Sequence, residues 1–309
     1  MRWILVVCAF AIVFGIAATM TVPAQTITPD QATLKLFPPE TTGLAFIDAG
    51  GLRSAQLVQE LRPGTKYPAG LQEFIAATGF DPQRDLDQVT VAKIGKREFV
   101  AVVRARFDRF KVEQLLRDRG LETDSYLGRV LYMPARKQGP GAPMIVSFID
   151  DLIVAGNTAA VKQVIDRLAA PAQSVLDNPN LMAAVRGIEV GNQVWAVGQF
   201  DLDAIPESAR IPAPALEFVR NFTSGSYQMR VDTDVHVKAV GVFTSDAAAR
   251  QTAEVLRGLL AVGKLQTSRQ QDMLHLLDGV QIDYSGSSLT VRFEGDGELL
   301  KRLQTQRAR

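Results

Sequence analysis

General acid–base and metal chemistry near neutral pH most often recruits histidine, and the chain holds two, His236 and His275. In Val235-His236-Val237-Lys238-Ala239 a strand's two-residue alternation sets His236 beside Lys238 on a polar side, with the valines and the alanine on the other. His275, in Asp272-Met273-Leu274-His275-Leu276-Leu277, reads as the polar side of a short helix. Neither is followed four residues on by a carboxylate or a second imidazole to make a metal pair. Cys8 is the lone cysteine and lies in an apolar segment, so the rest of the chain has no thiolate for nucleophilic attack, for zinc or for a disulfide. The acidic groups Asp81/Asp85/Asp87, Asp150/Asp151, Asp201/Asp203, Asp232/Asp234 and Glu294/Asp296/Glu298 lack the glycine bend and closing glutamate of a calcium loop. They read as turn and cap residues. No glycine-rich phosphate loop, Gly-x-Ser-x-Gly elbow or Ser-x-x-Lys set occurs. The residues therefore select no catalytic set, no cofactor site and no metal site.

One local excess of charge stands out. Residues 93–111 carry Lys93, Lys96, Arg97, Arg104, Arg106, Arg109 and Lys111 against Glu98 and Asp108, a local net of +5. Arg104 and Arg106 are two apart in a strand pattern and are expected on one face. Phe99, Ala101, Val103, Ala105 and Phe107 then take the core face. Lys93, Lys96, Arg97, Arg104, Arg106 and Lys111 are the candidate site: an anion or acidic-partner patch for a cell-envelope protein, an anionic lipid or an envelope polymer. The alternative is a solubilising outer sheet face. Trp195, in Val194-Trp195-Ala196-Val197, is expected in the core.

These residues must be carried by a chain of 309 residues, 47% hydrophobic and 22% charged, which is globular in composition and long enough for about two domains. The formal net charge is +1, with neither half a charged pole, so no nucleic-acid partner is expected. Trp3 to Val22 is a run of 20 uncharged residues behind Arg2. It reads as a signal peptide cleaved after Val22-Pro23-Ala24 or as an uncleaved anchor, since 20 helical residues span about 30 Å. Membrane contact is expected through residues 3–22 if the segment is retained. Either way, residues 26–309 are expected outside the inner membrane of a bacterium, periplasmic, extracellular or anchored.

Beyond the apolar start, periodicity switches repeatedly between two and 3.6, the pattern of an α+β chain. Strands are expected at Gly43–Asp48, Val89–Ile94, Glu98–Phe107, Tyr126–Met133 and, as a pair turning at Asp150-Asp151, Met144–Ala155. Helices are expected at Leu71–Thr78, Arg109–Arg119 and Thr158–Ala169. The second half reads as a strand at Asn192–Phe200, a helix at Pro214–Phe222 and a hairpin of Ser226–Val231 with Val235–Phe243. A helix at Ala247–Val262, a hairpin of Gln281–Tyr284 with Leu289–Glu294 and a last helix from Gly297 follow. Strand-then-helix order recurs, Glu98–Arg119 against Val235–Val262 and Leu152–Leu168 against Leu289–Leu303. The expected architecture is therefore two similar modules, each a largely antiparallel sheet with helices packed on one face, after the N-terminal apolar segment. The divisions are 1–24 signal or anchor, 25–36 tether, 37–170 first module, 171–191 linker with a short helix, and 192–309 second module.

Phe37-Pro38-Pro39-Glu40-Thr41-Thr42, followed by Leu44-Ala45-Phe46-Ile47-Asp48, resembles the opening of exported, membrane-tethered bacterial proteins of unknown function with repeated α+β modules. Phe148 to Gly156 followed by a helix is similar to a recurring unit of such proteins. The resemblance implies an envelope location and carries no functional residue. The functional expectation is a non-enzymatic binding or scaffold module of the cell envelope. Alternatives are a periplasmic carrier of an apolar ligand or lipid, prompted by Ala196-Val197-Gly198 and Ala239-Val240-Gly241, and a hydrolase with an unrecognised site.

Overall fold

The structure, a computed structural model, describes residues 29–61, 67–95, 98–135, 144–170, 172–200 and 220–307. The expected signal or anchor, Lys96, Arg97 and most of the Pro214–Phe222 helix lie outside the described residues. No helix among the described residues is long and apolar enough to cross a membrane.

The strands are β1 (Thr41–Asp48), β2 (Leu86–Ile94), β3 (Glu98–Ala105), β4 (Leu121–Tyr126), β5 (Arg129–Pro134), β6 (Met144–Ile149) and β7 (Leu152–Asn157) in the first half. β8 (Val194–Gln199), β9 (Phe222–Val231), β10 (Val235–Phe243), β11 (Val280–Ser285) and β12 (Ser288–Gly295) follow in the second. Eleven helices accompany them among the described residues, so the chain is mixed α+β. All twelve strands form one antiparallel sheet in the order β11-β12-β10-β9-β8-β1-β2-β3-β7-β6-β5-β4. Two separate sheets were the expectation. The difference arises because β1 and β8 each have a free edge that the other satisfies, Phe46 opposite Trp195 and Gly43 opposite Gly198.

Local chemistry accounts for the punctuation. Helix α4 (Ala69–Thr78) stops at Gly79, whose φ of 74° suits a left-handed C-terminal residue. Asp108 caps α6 (Arg109–Asp118) by accepting from the Lys111 N–H. Ser245 does the same for α9 (Asp246–Gln266) at the Ala248 N–H. The strand expected at Tyr126–Met133 is instead the turn and second arm of a hairpin. Leu127 and Gly128, at φ 47° and 75°, make the two-residue turn between β4 and β5. β4 escapes the sequence reading because its run Leu-Glu-Thr-Asp-Ser-Tyr is nearly all polar at the open sheet edge.

Helices on one face were expected, yet the first-half strands are covered on both. On the back face, α7 (Thr158–Ala169) buries Ala160, Val161, Val164 and Ile165 against Val100, Val102, Ile145 and Val154. α8 (Pro179–Arg186) joins that core through Leu181 and Val185, under Phe46 and Trp195, whose rings are 5.8 Å apart. On the front face, α2 (Ala49–Ser54) and α6 cover the same sheet, Ala49 near Val89 and Val103, and Val112 on Tyr132 and Phe148. β3 is therefore an interior strand, buried through Val100 and Val102 as well as Val103 and Ala105. The face that carries Arg104 is thus not the expected solvated outer face. It is core except at the strand's end. In the second half, α9 covers the front face through Ala249 and Ala253 on Ile282 and Leu289. α11 (Gly297–Arg307) turns to the sheet's end, where Leu300 meets Leu57, Val231 and Val235.

Candidate functional site: an apolar trough across the central strands

Register sets side chains of graded size in rows across the front face. One row runs Lys93, Gly43, Gly198, Gly225, Gly241, Leu289 on β2, β1, β8, β9, β10 and β12. The next runs Val91, Ala45, Ala196, Tyr227, Ala239, Val291, and the third Val89, Ile47, Val194, Met229, Val237, Phe293. Size falls from branched chains to alanine to no side chain at all, so the surface drops into a trough of about 550 Å³ over the glycine and alanine rows. Five strand spacings make it about 24 Å from Lys93 to Leu289.

The glycines are required by close approaches. A Cβ on Gly198 would lie 2.8 Å from Gly43 Cα, so β1 and β8 could not close their seam with alanine there. Cβ atoms on Gly225 and Gly241 would each come within 2.8 Å of the Phe222 ring, which sits on both. Phe222 packs edge-on against Phe200 and Phe243, at 5.1 and 5.6 Å between centroids, and this aromatic cluster closes one end of the trough.

Helix α9 leaves one apolar flank uncovered. Arg257 of α9 donates to the Ile282 carbonyl on edge strand β11, which turns that flank outward. At 100° per residue, Val255, Leu259 and Val262 lie on the opposite flank, toward the sheet's centre. Leu259 and Val262 are 64% and 50% exposed, an uncovered apolar strip along that flank.

Among the described residues the trough lining contains no aspartate, glutamate or histidine. Its titratable groups are Tyr227 and Lys93. Burial pushes the Tyr227 phenol above its ordinary pKa, so it is neutral across the physiological range. Its hydroxyl meets the Met229 sulfur at 3.6 Å. Lys93 has no ion pair among the described residues. The lining thus offers dispersion and apolar burial to a ligand, with one cation at its β2 end.

A second depression of about 340 Å³ lies on the back face between α8 and strands β8 to β10. Thr41, Thr42, Asn180, Gln199, Ser224 and Ser226 line it. Its strongest polar groups are engaged: Asn178 donates to the Pro39 and Thr41 carbonyls, Gln228 accepts from the Glu189 N–H and from Asn192, and Lys238 holds Glu189 at 2.6 Å.

The basic residues singled out from the sequence go to different places. Arg104 reaches Asp30 at 3.4 Å and Asp151 at 3.9 Å on the back face. Arg106 lies 3.7 Å from Asp87, a carboxylate it shares with Arg53. Lys111 pairs with Asp108 within the first turn of α6. Lys93 alone of the described four lines the trough. The two histidines lie apart: His236 stands opposite Arg230 and Glu294 on the back face, and His275 is exposed in α10 (Gln271–Asp278). Among the described residues no group of three or more His, Cys, Asp or Glu side chains could hold a metal ion.

Asp48 is the one deeply buried carboxylate with a raised pKa. It is 3% exposed, burial drives the shift, and its Oδ2 makes no hydrogen bond. A Cβ on Gly51 would overlap that oxygen. Arg53 lies nearby, donating to the Leu86 carbonyl and to Asp87 at 2.9 Å. This cluster joins β1 to α2 and lies outside both depressions.

The glycine row was half legible. Ala196-Val197-Gly198 and Ala239-Val240-Gly241 are visible as small-residue strands, but their alignment with Gly43 and Gly225 is a matter of register. Comparison of the chain with known protein families, with curated proteins and with solved structures finds no match.

Proposed function

We propose that this protein is a non-enzymatic binding module of the cell envelope and that its ligand is apolar and lies in the front-face trough. The observation that carries the reading is the trough itself: a depression within the usual volume range of ligand sites, apolar in its lining and floored by residues too small to fill it. A sheet meant only as a scaffold would close such a surface, because uncovered apolar area costs about 25 cal/mol per Å². The uncharged run from Trp3 to Val22 supports export, with residues 26–309 outside the inner membrane. The shared strand path, β1-β2-β3-β7-β6 in one half and β8-β9-β10-β12-β11 in the other, supports an internal duplication about the β1–β8 seam. On that reading the β4–β5 hairpin is an insertion in the first copy.

Ala196→Phe tests the site. Ala196 is on the floor beside Tyr227, and a ring there fills the trough without touching the back-face core. The full chain is expected to enhance the fluorescence of the uncharged probe N-phenyl-1-naphthylamine, and Ala196→Phe to weaken that binding at least about tenfold. An unchanged circular dichroism spectrum shows that the fold survives. Equal binding by both chains would overturn the reading.

A further inference from the structure

Four of the five described cations of the 93–111 stretch sit on carboxylates, and the fifth, Lys93, has no such partner among the described residues. Lys93 is partly buried on the last front-face row of β2, next to Gly43, with Phe99 across from it on β3. Its backbone carbonyl accepts from Thr42 Oγ1 at 3.4 Å. Lys93 lines a trough that holds no acid among the described residues. A lysine stem lies readily along apolar surface while its head seeks a charged partner. A head held away from bulk water gains most from an anion that brings its own hydrogen-bond acceptors.

We infer that the trough takes a single-chain anionic amphiphile of the fatty-acid class, its carboxylate on Lys93 and its chain running across β1 and β8 toward the Phe222 ring. This rests on the reading of the trough as a ligand site and specifies the ligand. One cation matches one negative charge. The open floor runs about 14 Å away from that cation, three strand spacings to the Phe222 ring on β9, without meeting another charge among the described residues. Its volume suits one acyl chain rather than a two-chain lipid. An acidic peptide is disfavoured because its backbone polar groups would meet no partners on this floor.

The test compares cis-parinaric acid with its methyl ester, two probes with the same chain and different heads, on the full chain and on Lys93→Met, Lys93→Arg and Ala196→Phe. The expected result is acid binding at least about tenfold tighter than ester binding, a preference that weakens with added salt. Lys93→Met should bring acid down to the ester's affinity and leave the ester unchanged, while Lys93→Arg keeps the preference. Equal affinity of the unmodified chain for acid and ester overturns the role of Lys93 and leaves the trough as a neutral apolar site. Binding of both probes that is untouched by Ala196→Phe overturns the trough as well. No binding of either probe overturns both.

Discussion

Strands β1, β2, β3, β7 and β6 and strands β8, β9, β10, β12 and β11 follow the same path through the sheet, yet the hydrophobic core runs along the back face of the whole first set and reaches only β8, through Trp195 and Val197, in the second. β3 reads Phe99-Val100-Ala101-Val102-Val103, apolar on both sides, whereas β10 reads Val235-His236-Val237-Lys238-Ala239, apolar on one. The covering helices differ in step with the strands. α7 lays four buried apolar side chains on the back face, while α11, after the equivalent strand β12, packs at the sheet's end and leaves Lys238, Arg292 and Glu294 to solvent. The difference teaches that one strand path supports two kinds of sheet. A near-continuous apolar run demands two layers of helix, and alternation needs only one. It also locates the trough at the join. There the front face passes from one helical cover to the other, and small residues keep the floor low.

The largest expected difference between the halves is the cost of a charge placed on the back face of each. Val154 on β7 is fully buried under α7, and Val154→Asp is expected to cost more than about 4 kcal/mol and to prevent folding. Val240 on β10 faces the open side between Ser226 and Thr290, and Val240→Asp should cost under about 1 kcal/mol. Urea denaturation of both variants checks the pair, and similar losses would mean that the back-face core extends beyond β8.

A smaller effect is expected at the seam. Gly198→Ala puts a methyl 2.8 Å from Gly43 Cα and should destabilise by about 1–3 kcal/mol as β1 and β8 are pushed apart. Gly258, in mid-α9 with open space around it, provides the contrast. Gly258→Ala should stabilise by about 0.5–1 kcal/mol through helix propensity alone. Thermal melts of the two variants should move in opposite directions.

The smallest effect is a pH dependence confined to the first half's Asp48. Burial raises its folded pKa above the ordinary 3.8, so the native state holds its proton more tightly than the unfolded chain does. Stability from this group is then fully present below the unfolded value and is lost as pH rises through the raised folded pKa. The stability of the wild type relative to Asp48→Asn should accordingly fall over that window and level off above it. Urea midpoints measured across the acid range give the slope, and a flat difference would show that the carboxylate finds compensation from Arg53.

Much of the fold was legible because its signals are local. Gly79 and Ser245 mark helix ends, Asp150-Asp151 marks a turn, and the periodicity of Thr158–Ala169 marks a helix with one apolar stripe. The basic stretch was legible as charge but not as a site. Arg104, Arg106 and Lys111 each find a separate acid that no spacing rule connects to them, Asp30 being 74 residues away from Arg104. Trp195 was readable as core from its apolar neighbours. Its ring lies under Phe46 of a strand almost 150 positions earlier.

The sequence by itself determined the class of structure, the order of strands and helices and the chemistry the chain can offer, since composition, period and capping act over a few residues. The tertiary structure decided that the halves share one sheet, that β1 and β8 meet at Gly43 and Gly198, and that four glycines from four strands fall in one row ending at Lys93. Register is a property of pairs of strands. A slip of one residue would turn every side chain to the other face and abolish the trough, and only the assembled cores on both faces fix which pairing wins.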